Sequence, residues 1–81
     1  MATLLRIVVA TGDQALHRLI EGAVSQHPGA RVVAEATNKD ELEAAVAHRT
    51  PQLLFLTTRL GDASGYELAA SISRRHPGMY I

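Results

Sequence analysis

Cysteine and tryptophan are absent from these 81 residues, and one phenylalanine and two tyrosines are the only aromatics. Without cysteine there is no disulfide and no thiol nucleophile. A small core with no staple fits a reducing cytoplasm better than secretion. Eight basic and eight acidic residues cancel to a formal charge of zero, so no long-range field draws in a phosphate backbone. Three scattered rings, Phe55, Tyr66 and Tyr80, make no stacking platform for bases. Direct nucleic-acid contact is therefore not expected. No apolar run is long enough to span a bilayer: Arg6 interrupts the first one and Asp13 follows it, without the layout of a signal peptide. Phosphate-cradling glycines are missing too, because Ala10 to Ala15 holds a single glycine and matches neither a dinucleotide fingerprint nor a phosphate loop. The histidines have no cysteine or third histidine at ligand spacing. No metal and no cofactor is expected.

What is present is organised around Pro51 to Gly65. Four consecutive apolar residues, Leu53 to Leu56, follow a proline and stop at Thr57-Thr58. The polar stretch Arg59-Leu60-Gly61-Asp62-Ala63 then leads into Ser64-Gly65-Tyr66-Glu67, which has the S-x-x-E form of a capping box. The stretch predicts a strand buried on both faces with Phe55 in the core, a loop at its carboxyl end, and a helix start.

The rest of the chain alternates in the same way. Ile7-Val8-Val9 is a β-branched cluster without alternation, which marks a central first strand over Leu4 to Ala10. Thr11-Gly12-Asp13 breaks it, and Gly12 or Asp13 caps the next helix. Leu16, Leu19, Ile20, Ala23 and Val24 recur as one amphipathic stripe. Burying its four large residues is worth roughly 1.5–3 kcal/mol each before entropy is counted. His17, Arg18, Glu21 and Ser25 lie off the stripe and are expected to face solvent. Arg31 to Ala36 is mixed in polarity and reads as an edge strand. Thr37 or Asn38 caps a second helix with Asp40 and Glu41 in its first turn, Leu42, Ala45 and Val46 on its thin apolar face, and Arg49-Thr50-Pro51 at its end. Leu68, Ala69 and Ile72 supply the apolar face of the third helix. His-Pro-Gly occurs at 27–29 and again at 76–78, each time between a helix and a strand. It reads as one turn used twice, since proline stops the helix and glycine frees the backbone. Met79-Tyr80-Ile81 begins another apolar strand.

This β-α-β-α-β-α-β order predicts one α/β domain over residues 1–81: a doubly wound, flavodoxin-like parallel sheet with right-handed crossovers and strand order 2-1-3-4. In the five-stranded version of that layout, 2-1-3-4-5, the sequence stops where the fourth strand starts. The domain is expected to be incomplete, and its open strand edge is expected to promote self-association, with strand exchange as one route.

The order of these elements resembles the receiver domains of two-component response regulators, over the whole chain. Arg6-Ile7-Val8-Val9-Ala10 is similar to the first receiver strand and Val32-Val33-Ala34-Glu35-Ala36 to the second. Pro51 through Leu68 resembles the third strand, its loop and the next helix start, and Arg74-Arg75-His76-Pro77-Gly78 the exit from that helix. The resemblance implies an acidic pair after the first strand, where this chain has Thr11 and Gly12. It implies a phosphoacceptor aspartate where this chain has Thr57, and a loop proline where it has Gly61. Phosphoryl transfer requires a carboxylate nucleophile and Mg²⁺ held by carboxylates, and a threonine with no base beside it is a poor nucleophile. Asp13 and Asp62 are the only residual acids near the site, and their simpler roles are a helix cap and a loop turn.

The expectation is thus an atypical or pseudo-receiver that is not an enzyme. It would signal through protein contact independently of phosphorylation and regulate an output domain. The alternative is the N-terminal piece of a larger transcription regulator or P-loop ATPase whose activity lies downstream. A nucleotide-binding enzyme fragment is a remote third.

Overall fold

A computed structural model describes residues 4–81. Its elements in chain order are β1 (Leu5–Ala10), α1 (Gln14–Ser25), β2 (Ala30–Ala36), α2 (Lys39–Arg49), β3 (Leu53–Leu56), the two-residue strands β4 (Arg59–Leu60) and β5 (Ala63–Ser64), and α3 (Gly65–Arg75). β1, β2 and β3 form one parallel sheet in the order β2-β1-β3. Tyr80 makes a parallel bridge with Leu53, so the chain returns to the outer side of β3. Strand 1 in the middle, strand 2 at an edge and a fourth position opening beside strand 3 are the doubly wound, flavodoxin-like arrangement that the alternation predicts.

The caps that set the helices are local. Asp13 Oδ1 accepts from the N–H groups of Ala15 and Leu16, at 2.9 and 3.2 Å, so Asp13 rather than Gly12 caps α1. Asn38, not Thr37, caps α2: its Oδ1 accepts from the Glu41 N–H at 2.8 Å. Thr37 serves the same turn in reverse, donating its hydroxyl and its N–H to Glu41 Oε1, each at 2.7 Å. Both His-Pro-Gly segments are the same turn. The His27 carbonyl accepts from Ala30 N–H, and the His76 carbonyl from Met79 N–H.

β1 alternates across the sheet. Val8 and Ala10 face α2 and α3 and join Leu42, Leu54, Leu60 and Ile72 in the larger cluster of buried residues. Ile7 and Val9 face α1 and, with Val24, form the smaller cluster. The pairing of β1 with β2 slips by one residue: Ile7 pairs with Val32 but Val8 with Ala34, which leaves Val33 as the extra residue of a β-bulge.

Three sequence expectations are corrected. His17 was assigned to solvent but is only 7% exposed, whereas Leu19 of the apolar stripe is 71% exposed. α1 is therefore rolled toward β2, away from part of its own stripe. Phe55 is 39% exposed rather than core, and within β3 only Leu54 is buried, so that strand is not covered on both faces. The reason is the same in both cases: α1 leans on β2, and no element among the described residues covers the α1-side face of β3. Finally, the stretch after Thr58 is not a plain loop. Arg59 pairs with Ser64 and Leu60 with Ala63 in an antiparallel hairpin around Gly61-Asp62. Gly61 has φ +60, the sign that a two-residue hairpin turn needs at its first position. Leu60 is buried and anchors the hairpin in the larger core.

Candidate functional site

The carboxyl ends of β1 and β3 lie side by side, with Ala10 paired to Leu56. Thr11 and Thr57, the residues that follow, are tied to the sheet by their backbones. Thr11 N–H donates to the Ala36 carbonyl at 3.0 Å and Thr57 N–H to the Ala10 carbonyl at 3.2 Å. Both line one crevice of about 180 Å³, together with apolar atoms of Leu16, Ile20, Phe55 and Leu56. The sequence thus places Thr11 and Thr57 together, at the switch point where doubly wound sheets bind ligands.

Their hydroxyls are already engaged. Thr57 Oγ1 donates to the Arg59 carbonyl at 2.6 Å, which turns it toward the β4 hairpin. Thr11 Oγ1 accepts from Asp13 N–H at 3.0 Å and is buried beneath the start of α1. Neither has a basic side chain within hydrogen-bonding distance, so nothing activates either oxygen as a nucleophile. Gly12 is exposed and contributes no side chain.

Asp13 and Asp62 are not brought together. Asp13 is used as the α1 cap. Asp62 sits at the hairpin tip and lines a different cleft, of about 380 Å³, with Asn38, Lys39 and Asp40 at the start of α2. Among the described residues no three His, Cys, Asp or Glu side chains are arranged to hold a metal ion. Glu41, at the start of α2, has a displaced ionisation. The Thr37 hydroxyl, and after it the Thr37 N–H, hold its carboxyl below the usual carboxylate range.

The hairpin and α3 are locked against the end of β3. Gly65 N–H donates to the Thr58 carbonyl at 2.8 Å. A Cβ at Gly65 would overlap the Thr57 carbonyl oxygen, so this close approach needs glycine. Ser64 caps α3, accepting from Glu67 N–H at 3.4 Å. Exposed Arg59 and Tyr66 flank a shallow cleft with Thr58, Asp62 and Ser64.

Sequence reasoning missed one side-chain constellation near the site. His17 Nε2 lies 2.7 Å from Glu35 Oε2 and 3.0 Å from Glu21 Oε2. The i, i+4 spacing of His17 and Glu21 was visible in the sequence. The Glu35 contact was not, because it depends on the β2 bulge.

No protein-family model matches the chain. It is 38% identical over 58 residues to the sensory transduction protein LytT of Enterococcus faecalis, an alignment that covers 72% of this chain and 24% of LytT. Among solved structures it superposes on the response regulator domain of Thermotoga maritima CheB with TM-score 0.82 and 16% identity, over 91% of this chain and 55% of that one. RcsB from Salmonella enterica serovar Typhimurium, solved bound to promoter rprA in the presence of a phosphomimetic, gives TM-score 0.81 and 19% identity, over 95% and 40%. The signal receiver domain of a Luxo repressor protein from Vibrio parahaemolyticus gives 0.77 and 18%, over 94% and 57%. The chain spans less than two thirds of each of these relatives.

Proposed function

We propose that this chain, which has the fold of response-regulator receiver domains, acts as a pseudo-receiver: a non-catalytic signalling unit that works by protein contact without accepting a phosphoryl group. The observation that supports this reading is the uncharged crevice between β1 and β3. Thr11 and Thr57 line it, Asp13 and Asp62 are used as a helix cap and a hairpin tip, and a phosphoryl group arriving there would meet neither a carboxylate nucleophile nor a metal-binding pair.

The architecture around the crevice favours contact over chemistry. Gly65 against Thr57 and buried Leu60 under the hairpin hold the β3–α3 connection in one shape. A rigid surface loses less entropy on binding than a mobile one. The natural recipient of such contact is an output domain in the same protein, since LytT and RcsB are both much longer than the matched segment. A DNA-binding output is the favoured class, because the RcsB structure is of a promoter complex; in that arrangement this unit itself touches no nucleic acid. Cytoplasmic location accompanies this role. No helix among the described residues is long and apolar enough to cross a membrane.

Incubation with a small-molecule phosphodonor and Mg²⁺ tests the proposal. The expected result is no covalent phosphate on the chain by intact mass. Stoichiometric, base-labile phosphate would overturn it. The companion variant Thr11→Asp/Gly12→Asp/Thr57→Asp reinstates the carboxylate cluster. Mg²⁺ binding is expected to appear in this variant and to be absent in the parent.

A further inference from the structure

β4 and β5 have two residues each, too few to hold a hairpin by their own pairing. The hairpin is nevertheless set in one place, with Leu60 only 1% exposed. A single residue, Thr58, separates the sheet end at Thr57 from the hairpin at Arg59. Thr57 is therefore the last point at which the sheet can direct the hairpin, and all three of its polar groups are engaged. Its N–H donates to the Ala10 carbonyl of β1 at 3.2 Å. Its carbonyl is the group against which Gly65 packs. Its hydroxyl donates to the Arg59 carbonyl at 2.6 Å. The first contact ties Thr57 to the sheet, the second places the start of α3, and the third reaches the hairpin itself.

The Arg59 carbonyl is a group that needs such a donor. In a two-residue hairpin the pair beside the turn exchanges hydrogen bonds and the next pair does not. Leu60 and Ala63 flank Gly61-Asp62 and are the first pair; Arg59 and Ser64 are the second. The Arg59 carbonyl thus points out of the hairpin and meets Thr57 Oγ1. The polarity of this bond is fixed at one end, because a carbonyl only accepts. Position 57 has to donate. A hydroxyl does so, whereas an ionised carboxylate there would set oxygen against oxygen.

We propose that Thr57 is a donor clasp: a positioning residue whose hydroxyl holds the β4–β5 hairpin to the end of β3, so that the hairpin's conformation is set by whether the side chain at position 57 can donate a hydrogen bond. The clasp makes the emptied site self-maintaining. A single change of Thr57 to an aspartate releases the hairpin that carries Arg59 and Asp62, while Thr11 and Gly12 still offer no metal ligand beside it. The clasp is a statement about bonds within residues 57–65 and is independent of the pseudo-receiver reading.

Amide hydrogen exchange followed by NMR on the intact chain, in Mg²⁺-free buffer, tests it. The reporter is the Gly65 N–H, which donates to the Thr58 carbonyl at the base of the hairpin at 2.8 Å. The Val8 N–H, in the buried middle of β1, reports whether the sheet is intact. Thr57→Val keeps the shape and removes the donor, Thr57→Ser keeps the donor, and Thr57→Asp supplies an acceptor. Relative to Val8, Gly65 is expected to exchange about fivefold faster in Thr57→Val, the effect of losing one ordinary hydrogen bond, and at the parent's rate in Thr57→Ser. In Thr57→Asp it is expected to be at least as fast as in Thr57→Val near neutrality. It should return toward the parent as acid protonates the new carboxyl and gives it an O–H to donate. The parent carried through the same pH range corrects for the other titrating groups, Asp13 and Asp62 among them. Gly65 exchange in Thr57→Val as slow as in the parent would overturn the clasp. So would Thr57→Ser exchanging as fast as Thr57→Val, or Val8 accelerating as much as Gly65, since the hydroxyl would then act on the whole sheet rather than on the hairpin.

Discussion

The two faces of the sheet are built from one alternating strand and have reached different ends. Val8 and Ala10 look toward α2 and α3, where Leu42, Leu54, Leu60 and Ile72 are buried with them. Ile7 and Val9 look toward α1, where Val24 joins them in a smaller buried apolar cluster. One face is finished by hydrophobic burial. On the other, among the described residues, His17 contacts Glu21 and Glu35 while Leu19 and Phe55 are exposed. The lesson is that the described residues close the two faces to different degrees. The packed face carries the hairpin and its glycine lock, and the α1 face is covered only in part.

If that contrast is right, damage on the packed face costs far more than equal damage on the open face. Leu54→Ala should remove about 2–5 kcal/mol of unfolding free energy in denaturant titration. A loss of that size is a large fraction of the stability of an ordinary small domain. Leu19→Ala, a chemically identical change on the open face, should stay within about 0.5 kcal/mol of the parent. Equal losses at the two positions would break the comparison. Next in size is Gly65→Ala. The added Cβ collides with the Thr57 carbonyl, which forces the backbones apart at an expected cost of about 1–3 kcal/mol. A neutral outcome would mean that the hairpin is not locked.

Smaller effects sharpen the contrast at the rims. Thr50 ends α2 with φ +43, a left-handed conformation uncomfortable for a β-branched residue. Thr50→Gly should therefore raise stability, by about 1 kcal/mol; its carbonyl would still accept from Arg6. The smallest is a pH effect at Glu41. Thr37 lowers this carboxyl's pKa in the folded state. Its contribution to stability is thus fully present above the unfolded carboxylate value and lost as pH falls through the lower folded value. Glu41→Gln should lower stability slightly near neutrality and leave it unchanged at the acid end, so that this part of the acid-side decline disappears. Thermal melts of both proteins across the acid range check it.

Much of the packed face was legible in the sequence. Leu42, Ala45, Val46, Leu68 and Ile72 occupy the buried positions that helical spacing predicts, and the caps at Asn38 and Ser64 follow from residue type. The strand order followed from the unbroken apolar cluster Ile7-Val8-Val9 in β1 and the mixed polarity of β2. The open face was not legible for a physical reason. Periodicity ranks residues by hydrophobicity, so it put Leu19 inside and His17 outside, whereas His17 is buried against β2 with its Nε2 in contact with Glu35. That contact depends on a one-residue bulge that no local propensity announces. Phe55 was misplaced because an apolar strand gives no information about whether a helix arrives to cover it. At the candidate site, the identities of Thr11, Gly12 and Thr57 carried the reading from the start. The structure added where each side chain is spent: Thr57 on the hairpin, Thr11 on the α1 turn, Asp13 on the cap.

The central claim is that this crevice has kept its shape and lost its chemistry. A Mg²⁺ titration followed by amide chemical shifts tests it most directly, with a small phosphodonor added at the end point. The account predicts flat shifts for Thr11, Gly12, Asp13, Thr57 and Asp62, and an unchanged spectrum after the donor. Saturable shifts converging on the β1–β3 crevice, followed by a phosphorylated species, would contradict it.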